Sequence, residues 1–513
     1  MKAKARDLSF WMGQRTCLVL IVLVAAIGMG LVAGCATRLP SSTPTAVQPS
    51  PSPTLPTTPT LTPLLQPTTT PSLAPQPTAT PILPSPTPTF TLSPQPTSTP
   101  SPFAPPTAIS TPPPALSSGV KLLASVPIST PLGGVPGQEY PPIDWSPDGM
   151  VLAYGWGGGI WVVRPPTYEP SLLVSFPEAG QTREVSWSPG GQYLAFYGTQ
   201  LLGELWGGFI WVVKADGTGL KNLTPGEPFD PYRHKTINQW LDDHTLTIDL
   251  WHGTGAQSLW QVDTASGKAT QLIGYGESTI PIQAHGGAYH WSPTHEHITI
   301  DGTGHLVLVN VVRASEIWFS TMKDPPSEVF LGWSQDGQRF LYSKWEKEGE
   351  DHSLWLWDIA QGRGEKLLPH VYQAALSPDG SRVAFLRQEE RPGWVPARVK
   401  PEVSPEDWPP ALTAGVLNLE TGETILHGPA GYKANEGPFY WQGGQPVWSP
   451  DGELVVYWGE EGDVWATSAD GVWQERLTQG LEIVQVLWSP DGGKLALRSF
   501  DHAWIIERPV VEE

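Results

Sequence analysis

The sequence predicts an all-β fold, a single eight-bladed β-propeller spanning residues 119–513, preceded by a signal peptide and a disordered Pro/Thr-rich tether. Three observations predict it. The phrase WSPDG recurs, with variants, at a mean spacing of 49 residues. A second apolar phrase, usually containing Trp, follows each copy, and residues 1–118 show none of this pattern. Seven blades are the alternative if the weakest copy, at Trp240, is not a full repeat.

The chain opens with Lys2, Lys4, Arg6 and Arg15 ahead of an apolar run at 17–32, the layout of an export signal. Leu31-Val32-Ala33-Gly34-Cys35 resembles the lipobox of bacterial lipoproteins, in which a peptidase cuts before an acylated cysteine. The resemblance implies a signal peptide over 1–34, membrane lipid on Cys35, and attachment to a bacterial cell membrane outside the cytoplasm. An uncleaved signal anchor is the other reading, and both keep the basic end in the cytoplasm. The second cysteine, Cys17, lies inside the signal. The mature chain is therefore expected to have no internal disulfide, thiol catalysis or cysteine-bound metal.

Residues 35–118 follow as a linker. From 39 to 120 there is no Asp, Glu, Lys or Arg, and 25 of the 57 prolines fall between 40 and 116. Such a stretch buries too little apolar surface to offset the entropy of ordering itself. It is expected to act as a spacer, extended at ~3.1 Å per residue where polyproline II forms. Beyond it, 25 basic side chains face 49 acidic ones, so the folded part is near −24 where the whole chain is −20. That field repels phosphate backbones, and nucleic acid is not expected as a partner.

The repeat markers are Trp145, Trp187, Trp240, Trp291, Trp333, Leu376, Trp448 and Trp488. The turn after each explains the recurrence. Pro presets its φ, Asp and Ser hydrogen-bond nearby backbone, and Gly takes the positive φ of a tight hairpin. Asp148, Asp336, Asp379, Asp451 and Asp491 are therefore read as structural turn residues, and the marker Trp side chains as wedges between neighbouring sheets. The second phrase includes Ile160-Trp161, Ile210-Trp211, Leu354-Trp355 and Val464-Trp465. Between the two lie short β-branched or aromatic segments bounded by Gly and Pro, which favour strand over helix.

With endings such as NLTPGE at 222–227 and RLTQG at 476–480, these phrases resemble the WD-repeat-like propeller of the TolB family and the propeller half of prolyl oligopeptidases. The resemblance covers nearly all of 120–513 and implies the fold. TolB-type proteins carry an α/β domain where this chain has its tether, and the hydrolase domain of the peptidases has no counterpart here. A role in envelope assembly or export is implied only as an alternative.

The last repeat holds about three strands. Lys121-Leu122-Leu123-Ala124-Ser125-Val126 is similar to the outer-strand ending of the first repeat at 171–176, and is expected to complete the last blade and close the ring. Turns within the A–B and C–D hairpins are short and share one face. Long B–C and D–A connections, at 128–143, 224–237, 274–289, 388–413 and 427–445, share the other, where binding is usually built. Trp156, Trp251, Trp345 and Trp458 recur there at the ends of B strands, and Trp206 comes later in its repeat. Trp394, Trp408, Tyr432, Trp441, Glu460 and Glu461 stand nearby. Indole faces and carboxylates suit sugars or cationic groups, although the same indoles would equally serve to cover blade ends.

No nucleophile elbow, phosphate loop or dinucleotide fingerprint is present. His285, His290, His295, His297 and His305 cluster where the fourth turn has drifted, and are read as a solvated loop and not a metal site. No cofactor or metal is expected. The sequence thus points to a monomeric, membrane-anchored module that binds an unknown protein or glycan at its long-loop face without transforming it. A saccharide- or peptide-processing enzyme with an acidic central site is a further alternative.

Overall fold

The structure is a computed structural model that describes residues 116–128, 143–175, 179–202, 205–252, 257–274, 277–282, 287–302, 305–319, 328–345, 352–388, 412–431, 444–459, 462–481, 483–499 and 502–511. All lie in the compact unit Leu92–Glu513. The expected signal peptide, Cys35 and nearly all of the linker lie outside the described residues.

Eight antiparallel four-stranded sheets form the blades. β1 (Leu122–Pro127) opens the ring but belongs to its last blade. The first blade is β2 (Ile143–Trp145), β3 (Leu152–Trp156), β4 (Gly159–Val163) and β5 (Ser171–Ser175). The second is β6 (Ala179–Trp187), β7 (Tyr193–Leu202), β8 (Leu205–Lys214) and β9 (Lys221–Asn222). The third is β10 (Lys235–Asp242), β11 (Thr245–Trp251), β12 (Gln257–Asp263) and β13 (Ala269–Ile273). The fourth is β14 (Ala288–Trp291), β15 (His297–Gly302), β16 (His305–Asn310) and β17 (Ser315–Trp318). The fifth is β18 (Glu328–Trp333), β19 (Arg339–Trp345), β20 (His352–Asp358) and β21 (Arg363–Pro369). The sixth is β22 (Val371–Leu376), β23 (Arg382–Gln388), β24 (Leu412–Asn418) and β25 (Thr424–Ala430). The seventh is β26 (Val447–Trp448), β27 (Leu454–Trp458), β28 (Val464–Ser468) and β29 (Gln474–Arg476). The eighth is β30 (Gln485–Trp488), β31 (Lys494–Arg498) and β32 (His502–Glu507), completed by β1.

The weak copy at Trp240 thus builds a full blade, and the fold is the eight-bladed propeller. β1 runs antiparallel to β32, with Ser125 opposite Trp504 and Val126 opposite Ala503. Middle strands are buried on both faces and read as near-continuous apolar runs, LVVYW in β27 and GIWVV in β4. Outer strands such as β5 and β21 are largely exposed. The core is accordingly a set of layers between blades. Leu454, Val456 and Trp458 meet Val486, Trp488 and Leu495 between the seventh and eighth, and Val126, Ala496 and Ile505 meet Ile143, Tyr154 and Trp161 across the closure.

In the five turns that keep both Asp and Gly, the same small hydrogen-bonded unit recurs. In the first blade Ser146 Oγ donates to Asp148 Oδ1 at 2.5 Å and accepts the Val151 amide at 2.9 Å, and the Gly149 amide returns to the Ser146 carbonyl at 2.8 Å. Asp336, Asp379, Asp451 and Asp491 each accept from the Ser of their own turn. The glycine takes φ 69° in Gly149 and 72° in Gly452, the left-handed region a side chain disfavours.

Carboxylates stitch the inner strands together. Asp144 Oδ2 accepts the Trp187 amide at 2.8 Å, Glu184 Oε2 the Ile237 amide at 2.9 Å, and Asp301 Oδ2 the Phe330 amide at 3.1 Å, each across a blade boundary. Burial pushes the carboxyls of Asp144, Asp249 and Asp301 up to about 7. These acids pair with backbone or, for Asp249, with the Asn238 amide.

Candidate cleft at the irregular turns

Three consecutive turns lose the Asp or the Gly of the phrase, and a cleft of about 680 Å³ lies where they meet, on the face of the A–B turns. In the second blade the sequence is WSPGG, so Gly190 stands where other turns have Asp. Its amide donates instead to Asp243 Oδ1 of the third blade at 2.7 Å. A Cβ at Gly190 would lie 2.2 Å from that carboxylate, so only glycine admits it. In the third blade WLDDH replaces the phrase. Asp242 accepts the His244 amide at 2.7 Å and the Thr245 hydroxyl at 3.1 Å, which fixes both oxygens.

In the fourth blade WSPTH places His295 where the other five-residue turns have glycine. It keeps the left-handed backbone, φ 58°, a conformation that costs a non-glycine residue on the order of 1 kcal/mol and tends to persist at functional sites. Its ring meets Trp291 edge-on, 5.9 Å between centroids, and its Nε2 lies 3.2 Å from the Gln239 side-chain amide. Burial lowers the His295 pKa against the opposing pull of Asp242.

Three indoles of inner strands line this cleft: Trp240, Trp291 and Trp333. Trp240 Nε1 donates to the Ser186 carbonyl and Trp333 Nε1 to the His290 carbonyl, both at 3.2 Å. Trp291 Nε1 is buried and has no acceptor among the described residues. The site is therefore an aromatic recess with two carboxylates, one imidazole and one uncommitted buried donor.

The histidines differ from the solvated loop expected of them. His290 is on β14, stacked on Phe330 with centroids 4.5 Å apart, and burial pushes its pKa down to about 4. His297 begins β15, buried, with Nε2 3.0 Å from the Asn310 amide. Packing between blades, not solvation, surrounds them. His285 and the side chain of His305 lie outside the described residues. No group of three His, Cys, Asp or Glu arranged to hold a metal occurs among the described residues.

The Trp residues expected on the opposite face separate. Trp156, Trp251, Trp345 and Trp458 each end a B strand. Trp458 is only 3 % exposed and donates to the Ile483 carbonyl at 2.8 Å, so it is core between blades and not a binding surface. Trp156 is half-buried edge-on against Trp161, and Trp251 against His234. Trp206 is on β8 instead of a B strand, 53 % exposed, near the tip of a hairpin that also exposes Leu201 and Leu205. Trp394, Trp408, Tyr432, Trp441, Glu460, Glu461 and the Trp345 side chain lie outside the described residues.

No family model matches the chain, and no curated protein matches it. Solved structures do. The C-terminal WD40 domain of Sif2 is 14 % identical, over 76 % of this chain and 99 % of that one, with a TM-score of 0.46. An oligogalacturonate lyase from Vibrio parahaemolyticus is 12 % identical, over 79 % and 98 %, at 0.44. An oligogalacturonate lyase in complex with manganese is 11 % identical, over 79 % and 97 %, at 0.41. A WD40 domain and oligogalacturonate lyases stand among these neighbours, and no activity is carried over from them.

The cleft lies apart from the long loops and the repeated Trp at the ends of B strands. Its signal in the sequence is three successive copies, at 187–191, 240–244 and 291–295, that lack the Asp or the Gly of the turn.

Proposed function

We propose that this chain is a lipid-anchored, extracytoplasmic propeller that binds a protein or glycan partner without chemical turnover, and that the cleft beside His295 is its binding site. The observation that carries the reading is the coincidence of the cleft with the three irregular turns. Seven of the eight blades keep glycine or a two-residue hairpin where the backbone turns, and the exception, the strained His295, faces this cleft. Residues held in costly conformations cluster at binding sites. Preformed concave sites with aromatic walls and few fixed polar groups are the usual form of ligand pockets.

The test is a pull-down and a glycan array with the full chain, repeated with Gln239→Ala and His295→Gly together. Loss of the captured partner in the double variant supports the cleft. Retention of it, with loss on Trp206→Ala, moves the site to the exposed β7–β8 hairpin tip. That second reading has its own support in the exposed apolar cluster of Leu201, Leu205, Trp206 and Tyr232, a composition suited to a partner surface. For the anchor, Cys35→Ser is expected to release the protein or leave its precursor uncut, and unchanged attachment with normal processing argues against lipidation.

A further inference from the structure

We propose that the tip of the β7–β8 hairpin seats at the headgroup level of a phospholipid bilayer and turns the long-loop face of the ring toward it; the proposal rests on the chain being anchored to that bilayer. The hairpin runs past its own blade. β6 last pairs with β7 at Gln200, and β9 pairs with β8 only at Trp211 and Val212, so the tip stands clear of both flanking strands. There Leu201 lies opposite Trp206 and Leu202 opposite Leu205. Opposite residues share a face and successive ones alternate, so both faces of the tip are apolar. Leu205 is 60 % exposed and Trp206 53 %, and Leu201 and the neighbouring Tyr232 are also exposed. A flat partner covers one face of such a ribbon, whereas lipid surrounds both.

The chemistry suits the boundary between water and acyl chains. Trp, Tyr and Leu are the side chains that partition there. Glu204 is the one charge in the sequence between 197 and 210, and Asp230 and Arg233, on either side of Tyr232, pair with each other at 3.8 Å. Shallow seating in zwitterionic lipid fits this balance. The patch is also held together in advance. Lys235 is buried, and its Nζ donates to the carbonyls of Gly208, Asp230 and Arg233 at 2.7, 3.0 and 3.0 Å. The Gly208 amide donates to the Pro231 carbonyl at 2.8 Å. These bonds clamp the Tyr232 loop onto the hairpin, which lowers the ordering cost of docking.

The place where the linker joins the ring supplies an independent observation. Leu116 bridges to Thr478, and the Ser117 amide donates to the Leu477 carbonyl at 3.1 Å. Thr478 Oγ1 accepts the amide of Val464, the first residue of β28, at 2.9 Å. Leu205 is the first residue of β8, the corresponding strand of the second blade. The linker and the hairpin tip therefore meet the ring on one face. A linker ending there sets the farthest height of the ring above the membrane and leaves that face free to turn down. The cleft, on the opposite face, stays open.

The experiment is photo-crosslinking of the full chain in phosphatidylcholine vesicles and in cells, with benzoylphenylalanine in place of Leu205 or, as a control, of Val472, which is exposed on the face of the C–D turns. Flotation of the vesicles reports attachment separately. Phospholipid adducts are expected from position 205 at least roughly tenfold above those from 472, and Leu201→Ser with Trp206→Ser is expected to reduce them at least roughly fivefold. If the chain floats but the two positions give equal adducts or none, or if the double variant changes nothing, the hairpin proposal is overturned and anchoring stands. Crosslinking of position 205 in cells to a protein instead of lipid overturns it in favour of a protein partner. A chain that neither floats nor crosslinks to lipid loses both readings.

Discussion

The indole Nε1 of Trp145 lies 3.3 Å from the carbonyl oxygen of Leu487, joining the first blade to the last across 342 residues of sequence. The same bond recurs in every second blade. Trp240 reaches Ser186, Trp333 reaches His290, and Trp448 reaches Ala375, in each case the residue just before the preceding marker. Between them, Trp187, Trp291 and Trp488 have no acceptor for their indole N–H among the described residues, and the sixth blade has Leu376. The indole bonds therefore join the blades in pairs, eighth with first, second with third, fourth with fifth and sixth with seventh, while bonds such as that of Asp144 to the Trp187 amide cross other boundaries.

Trp145→Phe and Trp187→Phe are expected to differ for this reason. Both lose similar packing, but the first also loses a hydrogen bond worth about 1 kcal/mol, while the second removes a buried donor that had no partner. Urea unfolding of the two variants is expected to separate them by about 1–2 kcal/mol. Equal losses would mean that the indole bonds add nothing to the ring.

His295→Gly is expected to stabilise the protein. The left-handed backbone at φ 58° disfavours a side chain, and relief of about 1 kcal/mol outweighs the added freedom of glycine in the unfolded chain. A higher melting temperature with weakened partner binding is the combined outcome, and a lower melting temperature would show that the imidazole holds the turn together.

Asp144→Asn tests the buried carboxyl between the first two blades. Burial raises its folded pKa to about 7, against opposing bonds from the Trp187 and Trp145 amides. A carboxyl raised in the fold contributes stability that is whole below about 4 and is lost as pH rises through about 7. The asparagine variant does not titrate, so it is expected to match the parent near pH 4 and exceed it near pH 8. Partial solvent access limits the difference to on the order of 1–2 kcal/mol. Unfolding curves at the two pH values decide it, and a difference independent of pH would rule out the carboxyl as its source.

Deleting residues 119–127 removes β1 and leaves β32 an open edge. Cooperative destabilisation or aggregation is expected. An unchanged melting temperature would mean that the ring does not depend on this closure.

Much of the fold was legible because each blade needs one wedge and one tight turn. Trp488 and Gly492 stand at their places in the phrase for that reason, and even the degenerate copy at Trp240 keeps its indole wedge. The site was not legible, because it arises from what neighbouring copies do to each other. Gly190 gives up its carboxylate and Asp243 supplies one from the next blade. Repeat position also conceals environment. Trp156 and Trp458 end equivalent strands, yet the first is half-buried and the second is sealed by the eighth blade.

Lys121 and Glu507 pair across the closing strands at a separation of 386 residues. On the ribosome β1 is made first and β32 last, an interval of roughly 20–80 s at ordinary elongation rates. Until β32 emerges, β1 has no partner and the eighth blade cannot form. A polypeptide that lacks β32 thus keeps an unsatisfied edge at β1, so the first strand made is the one whose pairing waits longest.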